Sequence, residues 1–181
     1  MKTRRGLTIG LLAATLVLVP AAAWAGDGAG EWEIEGTWID RSVALDDWGV
    51  MVTITRTGGN EYQMVTDYAG PPLWPGEVKR SVMVGPLWKV GPNEQGFTGI
   101  AYLLDEYGLP VWTMVTSGTW TMVGPDEVAT DDWYISLYAP SRDASYILGG
   151  GPPDFPPGAP YGPMTGGMYR IPHITLAPAG P

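Results

Sequence analysis

Period-2 alternation of apolar and polar residues constrains this chain more than any other feature. In residues 31–38, Trp32, Ile34 and Trp38 share one face, and Glu31, Glu33 and Glu35 share the other. Successive side chains of a β-strand point to opposite sides, so this is the pattern of a strand with one buried face. Residues 48–56 repeat it, with Trp48, Val50, Val52 and Ile54 opposite Met51, Thr53 and Thr55. The turn Thr57-Gly58-Gly59-Asn60 then leads into a strand over 61–68, which predicts a hairpin. Further strands are predicted over 79–90, 97–104, 111–123, 128–138 and 167–175. Gly91-Pro92-Asn93, Tyr107-Gly108-Leu109-Pro110 and Gly124-Pro125-Asp126-Glu127 punctuate them as turns. Beyond the first 25 residues no window has helical period, and the nearest candidate is a short helical turn within 139–148.

Eight short strands in sequential hairpins predict an all-β fold, an eight-stranded antiparallel up-and-down barrel, with a β-sandwich as the alternative. The chain has no Cys, so burial and backbone pairing must hold it. Closure into a barrel leaves no unpaired strand edge. Eight strands enclose an interior just wide enough for packed side chains or one small ligand.

The N-terminus reads as an export signal rather than as part of the fold. Lys2, Arg4 and Arg5 precede an apolar stretch over 7–19, Pro20 ends it, and Ala23-Trp24-Ala25 presents the small-x-small pattern of a cleavage site. Residues 1–25 are therefore expected to be a signal peptide, placing the protein in the periplasm or outside the cell; an uncleaved anchor helix is the alternative. Thr3-Arg4-Arg5-Gly6-Leu7 also resembles a twin-arginine signal, so the general secretory route is expected and the twin-arginine route stays open. Cleavage would leave 156 residues and move the net charge from −9 to −12. That length suits one domain, residues 26–176, with 177–181 as a flexible tail. The acidity argues against nucleic acid or an anionic membrane surface as partner, and after cleavage no membrane span is expected.

One low-complexity stretch interrupts the pattern. Residues 149–167 hold seven Gly and six Pro in nineteen positions, a composition that forms no core. It is expected to be an insertion loop, either solvated or, through Phe155 and Tyr161, a lid or partner-binding segment.

At Gly36-Thr37-Trp38 the sequence resembles a lipocalin-type (calycin) barrel, whose first strand opens with a Gly-x-Trp motif. In that family an arginine near the last strand packs over the indole, and Arg170 in Met168-Tyr169-Arg170 lies in the matching part of the chain. Thr66-Asp67-Tyr68 falls on the third strand, away from the family's Thr-Asp-Tyr position. The family's common disulfide and C-terminal helix have no counterpart here. The likeness is to short bacterial lipocalin-like domain proteins. It implies a closed barrel with a ligand-sized interior and a Trp38–Arg170 stack closing one end, and it implies no particular ligand.

Residue chemistry for catalysis is sparse. Without Cys there is no thiol nucleophile, and one histidine, His173, cannot make a His-rich metal site. No Gly-x-Ser-x-Gly elbow occurs. Asp46-Asp47, Asp105-Glu106 and Asp126-Glu127 fall at strand ends or turns. Asp131-Asp132 falls inside a strand, as a bulge or as an inward acid–base carboxylate. No cofactor is expected.

Nine Trp and nine Tyr against two Phe stand out, because Trp and Tyr carry a polar tip on an apolar body. They suit either a filled core or a cavity for something flat, with Gly99 and Ala101 leaving room. On 111–123, Trp112, Met114, Trp120 and Met122 share the inward face. Of these Trp112, Met114 and Trp120, with Trp38, Tyr62, Met64, Trp133 and Arg170, are the candidate ligand-binding residues. The expected function is binding of a small apolar or aromatic molecule by an exported protein. The alternatives are a barrel-type cyclase or isomerase using Asp132, Tyr134 or Arg170, and an interaction or inhibitor protein using the Gly/Pro-rich segment. N-terminal sequencing of the exported protein should begin at Gly26; a start at Met1 would overturn the leader assignment.

Overall fold

Alternation becomes architecture in a computed structural model that describes residues 32–40 and 49–172. The expected leader 1–25, Asp46, Asp47, Trp48, His173 and the expected tail 177–181 lie outside the described residues. Within them the order is β1 (Gly36–Asp40), β2 (Gly49–Gly58), β3 (Glu61–Ala69), β4 (Lys79–Arg80), β5 (Met83–Gly91), β6 (Glu94–Leu104), β7 (Pro110–Gly124), β8 (Glu127–Tyr138), α1 (Ala144–Leu148) and β9 (Tyr161–Arg170). Every pairing is antiparallel, and β1, β2, β3, β5, β6, β7, β8 and β9 each pair with the next. β9 returns to pair with β1, so the sheet closes into a ring of eight strands. Among the described residues no helix is long and apolar enough to cross a membrane.

Three boundaries depart from simple alternation. The strand expected over 31–38 begins only at Gly36, whose φ of 143° breaks the pleat. Ile34 and Trp38 are buried, but Trp32, on the expected inner face, is 37% exposed. The strand expected over 79–90 is cut in two between Arg80 and Met83. There Ser81 Oγ accepts from the Tyr102 N–H at 2.8 Å, replacing a carbonyl in the ladder with β6. The last strand, expected over 167–175, starts six residues earlier, at Tyr161. Residues 161–167 of the expected insertion loop therefore belong to the sheet. Pro163 falls at a register break between Met164 and Tyr161, where no ladder bond is demanded of it.

The inner face carries the core. Val50, Val52 and Ile54 of β2, Met64 of β3, Leu87 of β5, Phe97 and Leu103 of β6, and Met114 and Met122 of β7 are buried there together. Trp120 stacks on Phe97 with ring centres 4.5 Å apart.

One end of the ring is shut by residues 32–35. Trp38 and Arg170 are register partners across the β1–β9 seam, and the guanidinium carbon lies 4.4 Å from the indole centre. Arg170 also donates to the Glu33 and Glu35 carbonyls, and the Trp38 indole N–H donates to the Ile34 carbonyl at 2.9 Å. A Cβ on Gly36 would stand 2.8 Å from Arg170 Nη1, so the glycine is required by that approach as well as by its φ. Arg56 pairs with Glu33, and Tyr62 donates to the same carboxylate at 3.3 Å. Burial first, then the Glu33 charge, pushes the Tyr62 phenol up, which keeps it a donor.

Trp38→Ala should cost about 3–5 kcal/mol, from the cavity left in a fully buried site together with a lost cation–π contact of about 1–2 kcal/mol. Trp74→Ala removes an equal volume from a partly exposed connection and should cost clearly less. Urea unfolding of the two variants checks this, and equal midpoints would remove Trp38 from its closing role.

Candidate functional site

Side chains do not fill the ring evenly. Val50, Val52, Thr66, Tyr68, Met83, Phe97, Thr116, Trp120, Val128, Trp133 and Met168, with Ala129, Thr130, Gly166 and Gly167, line a cavity of about 40 Å³. A water needs roughly 10–15 Å³ and an apolar cavity that takes benzene measures about 150 Å³. Rigid walls thus admit a guest of a few heavy atoms. A ring-sized guest requires Met83 and Met168 to swing, and unbranched thioethers adapt readily.

The room lies beside β9. A Cβ on Gly166 would meet only Thr130 Cγ2, at 3.7 Å. The space expected beside Gly99 is taken: a Cβ there would stand 2.6 Å from both Met64 Cε and Met83 Sδ. Ala101 is likewise packed into the core.

Of the eight candidate residues, Trp120 and Trp133 line the cavity. Trp38, Tyr62, Met64 and Met114 are buried but stand away from its lining, because the methionines pack against neighbouring strands. Trp112 sits at the far end of the ring, donating to the Pro75 carbonyl at 2.9 Å, and Arg170 covers Trp38 at the near end. Thr66, Thr116 and Tyr68 were missed as lining. Thr66 and Tyr68 share the parity of Tyr62 and Met64, which is the signal that could have found them. Gly166 carried no such signal, because its strand was read as a loop.

The polar groups of the lining are few. Thr116, 1% exposed, accepts from the Trp133 indole N–H and donates to the Tyr134 carbonyl at 3.1 Å. Tyr68 directs its hydroxyl to Met83 Sδ at 3.4 Å. Thr66, also 1% exposed, has no hydrogen-bond partner for its hydroxyl. Asp132 accepts from the Thr119 N–H at 2.7 Å and from the Thr130 hydroxyl at 3.4 Å, so its carboxylate spans the register shift between β7 and β8. That use as a bulge support occupies the inward-carboxylate candidate. Asp105 similarly caps its turn, accepting from Tyr107 and Leu109 N–H groups at 2.9 and 2.8 Å.

At the end where β7 starts and β8 finishes, the Gly/Pro-rich segment is built into the fold. Phe155 and Leu137 exchange backbone bonds, both 3.1 Å. The Phe155 ring packs on Trp74 and Trp112, with centres 6.2 and 6.1 Å away, and Tyr161 packs on Trp74 at 5.9 Å. Trp74 is itself placed by Glu77, a buried carboxylate that accepts from the Leu73 and Trp74 N–H groups at 3.0 and 3.1 Å and pairs with Arg80. Tyr138 and Tyr146 donate to the Gly151 and Pro152 carbonyls at 3.1 and 3.0 Å. Arg142 forks onto both oxygens of Asp154, which also accepts from the Ala139 N–H at 3.0 Å.

No protein-family model, curated protein or solved structure matches the chain.

The Arg142 fork, and secondly the Ala139 N–H, hold the Asp154 carboxyl at about 2 against an ordinary 3.8. A depressed carboxylate pKa stabilises the folded arrangement above the ordinary value, and the contribution is lost as pH falls through the depressed one. Acidification from about pH 4 to pH 2 should therefore remove the fork and loosen the segment locally, read as a small red shift of tryptophan emission, while the Phe155–Leu137 backbone pair and the ring contacts stay in place. Arg142→Ala should show the same small shift near neutral pH. An unchanged spectrum in that variant would mean the fork does not hold the segment.

Proposed function

We propose that the chain is an exported, lipocalin-like barrel that binds a small apolar or aromatic molecule in its interior. One observation carries this reading: an apolar cavity walled by Phe97, Trp120 and Trp133 inside a closed ring of strands. Two others support it. The Gly36-Thr37-Trp38 motif meets Arg170 as the family resemblance implies, with the guanidinium over the indole. The Gly/Pro-rich segment spends its aromatic residues on this chain's own Trp74 and Trp112, across the other end of the ring. That use favours a lid over a partner-binding arm. The enzyme alternative gains no support, since Asp132 Oδ1 accepts from the Thr119 N–H and the Thr130 hydroxyl and Asp132 does not line the cavity. The periplasm or the cell exterior follows from the leader.

A panel of small apolar and aromatic compounds should quench tryptophan emission saturably and raise the melting temperature, because a guest that binds only the folded state stabilises it by linkage. Gly166→Val should abolish both effects while keeping the fold, since a Cβ there meets only Thr130 Cγ2 at 3.7 Å and the methyl groups beyond it occupy the cavity. If the panel gives neither quenching nor thermal shift, the interior is a packed core. If Gly166→Val binds as well as the parent, the guest lies elsewhere.

A further inference from the structure

The cavity has a polar balance that restricts its guest. It holds two inward threonines at the same burial, each 1% exposed. Thr116 is bonded on both sides, to the Trp133 indole N–H and the Tyr134 carbonyl. Thr66 has a hydroxyl with no hydrogen-bond partner among the described residues. Gln95 Oε1 and Trp74 Nε1 also lack partners, but neither residue lines the cavity. Buried hydroxyls are almost always hydrogen-bonded, and an orphan in a ligand-sized space points to a group that arrives with the ligand.

The remaining walls define the rest of the guest. None of the lining residues carries a carboxylate, ammonium or guanidinium group. An ion entering would lose its hydration without a counter-charge, so the site rejects charged molecules. The parallel Phe97 and Trp120 rings, inclined by 28°, and the Trp133 indole offer flat apolar surface. The free volume is small, about 40 Å³ before the methionines move.

We infer that the cavity is specific for a compact, uncharged, flat molecule with a single hydrogen-bonding group, such as a phenol or a small aromatic ketone, anchored at Thr66 Oγ1. This rests on the interior-binding reading and narrows it. Thr66 is a specificity residue: it selects among apolar guests and does not create the space they occupy.

Phenol and benzene, which differ only by the hydroxyl, test it by tryptophan quenching on the exported protein, with benzoate as the charged control. Phenol should bind about tenfold more tightly than benzene, the yield of one buried hydrogen bond. Benzoate should not bind. Thr66→Val should bring phenol down to the level of benzene. In the empty protein, Thr66→Val should raise the melting temperature, because it replaces an unsatisfied hydroxyl by a methyl of the same shape, whereas Thr116→Val should lower it. Met83→Ala, which widens the cavity, should tighten both neutral probes. Equal binding of phenol and benzene, indifferent to Thr66→Val, would overturn the anchor and leave interior binding standing. Tighter binding of benzoate would overturn the uncharged class. A Thr66→Val loss of stability matching that of Thr116→Val would mean the hydroxyl is already satisfied by trapped water, which also overturns the anchor. Failure of both neutral probes to bind even Met83→Ala would overturn the interior reading itself.

Discussion

The ring closes between β1 and β9, and Arg170 holds that seam. Among the described residues β1 and β9 share three register pairs, Trp38 with Arg170, Ile39 with Tyr169 and Asp40 with Met168. By contrast β6 and β7 pair along eleven positions, enough to hold without help. Arg170 compensates by reaching across several elements at once. Its guanidinium covers Trp38, donates to the Glu33, Glu35 and Pro125 carbonyls and faces Asp126 at 3.2 Å. One planar group with several donors in a fixed fork thereby ties the entering chain, the first strand, the last strand and the β7–β8 turn. Without it the seam strands would expose unpaired backbone groups, as any sheet edge does.

The rest of the interior depends on that closure. Once the ring is shut, the inner faces must fill a fixed volume, and they fill it unevenly. Methionines and leucines occupy much of the interior, and methionine is suited to irregular gaps. At Gly166 β9 offers no side chain to the interior, and the cavity is what remains beside it. Its walls are mostly apolar, and its two buried threonines, Thr66 and Thr116, differ in whether a neighbour bonds the hydroxyl. Thr116 is claimed because the β8 shift at residues 130–133 brings the Trp133 indole to it. No indole faces Thr66.

The far end is closed by different physics. Pro and Gly supply little ladder and no core, so beyond the Leu137–Phe155 backbone pair residues 149–160 are held by side chains: the Trp74 and Trp112 rings, the tyrosine hydroxyls and the Arg142–Asp154 fork. Most of these contacts are exposed or partly so, in contrast to the buried Trp38. Surface ion pairs contribute little and screen readily. The two ends therefore differ in how they are closed: one by a buried indole under a guanidinium, the other by more exposed ring and ion-pair contacts.

Strand content and inward parity were legible from the residues alone. β2, β3, β7 and β8 lie within about two residues of where alternation puts them, because each has one face on the core and one in water, and that asymmetry is written locally. The meeting of Trp38 with Arg170 was legible only through a motif resemblance spanning most of the chain. The shift at residues 130–133, the break at Gly36 and the sheet pairing of 161–167 were not legible. Each depends on what the neighbouring strand offers, and a glycine or proline in isolation signals only that the backbone is free or interrupted. The cavity belongs to the same class. Sequence determines which residues face inward, but only the closed ring decides whether they meet, since a void is a property of several strands at once. Thr66 makes the point at a single atom: threonine suits either face of a strand, and whether its hydroxyl finds a partner is decided by a strand far away in the chain.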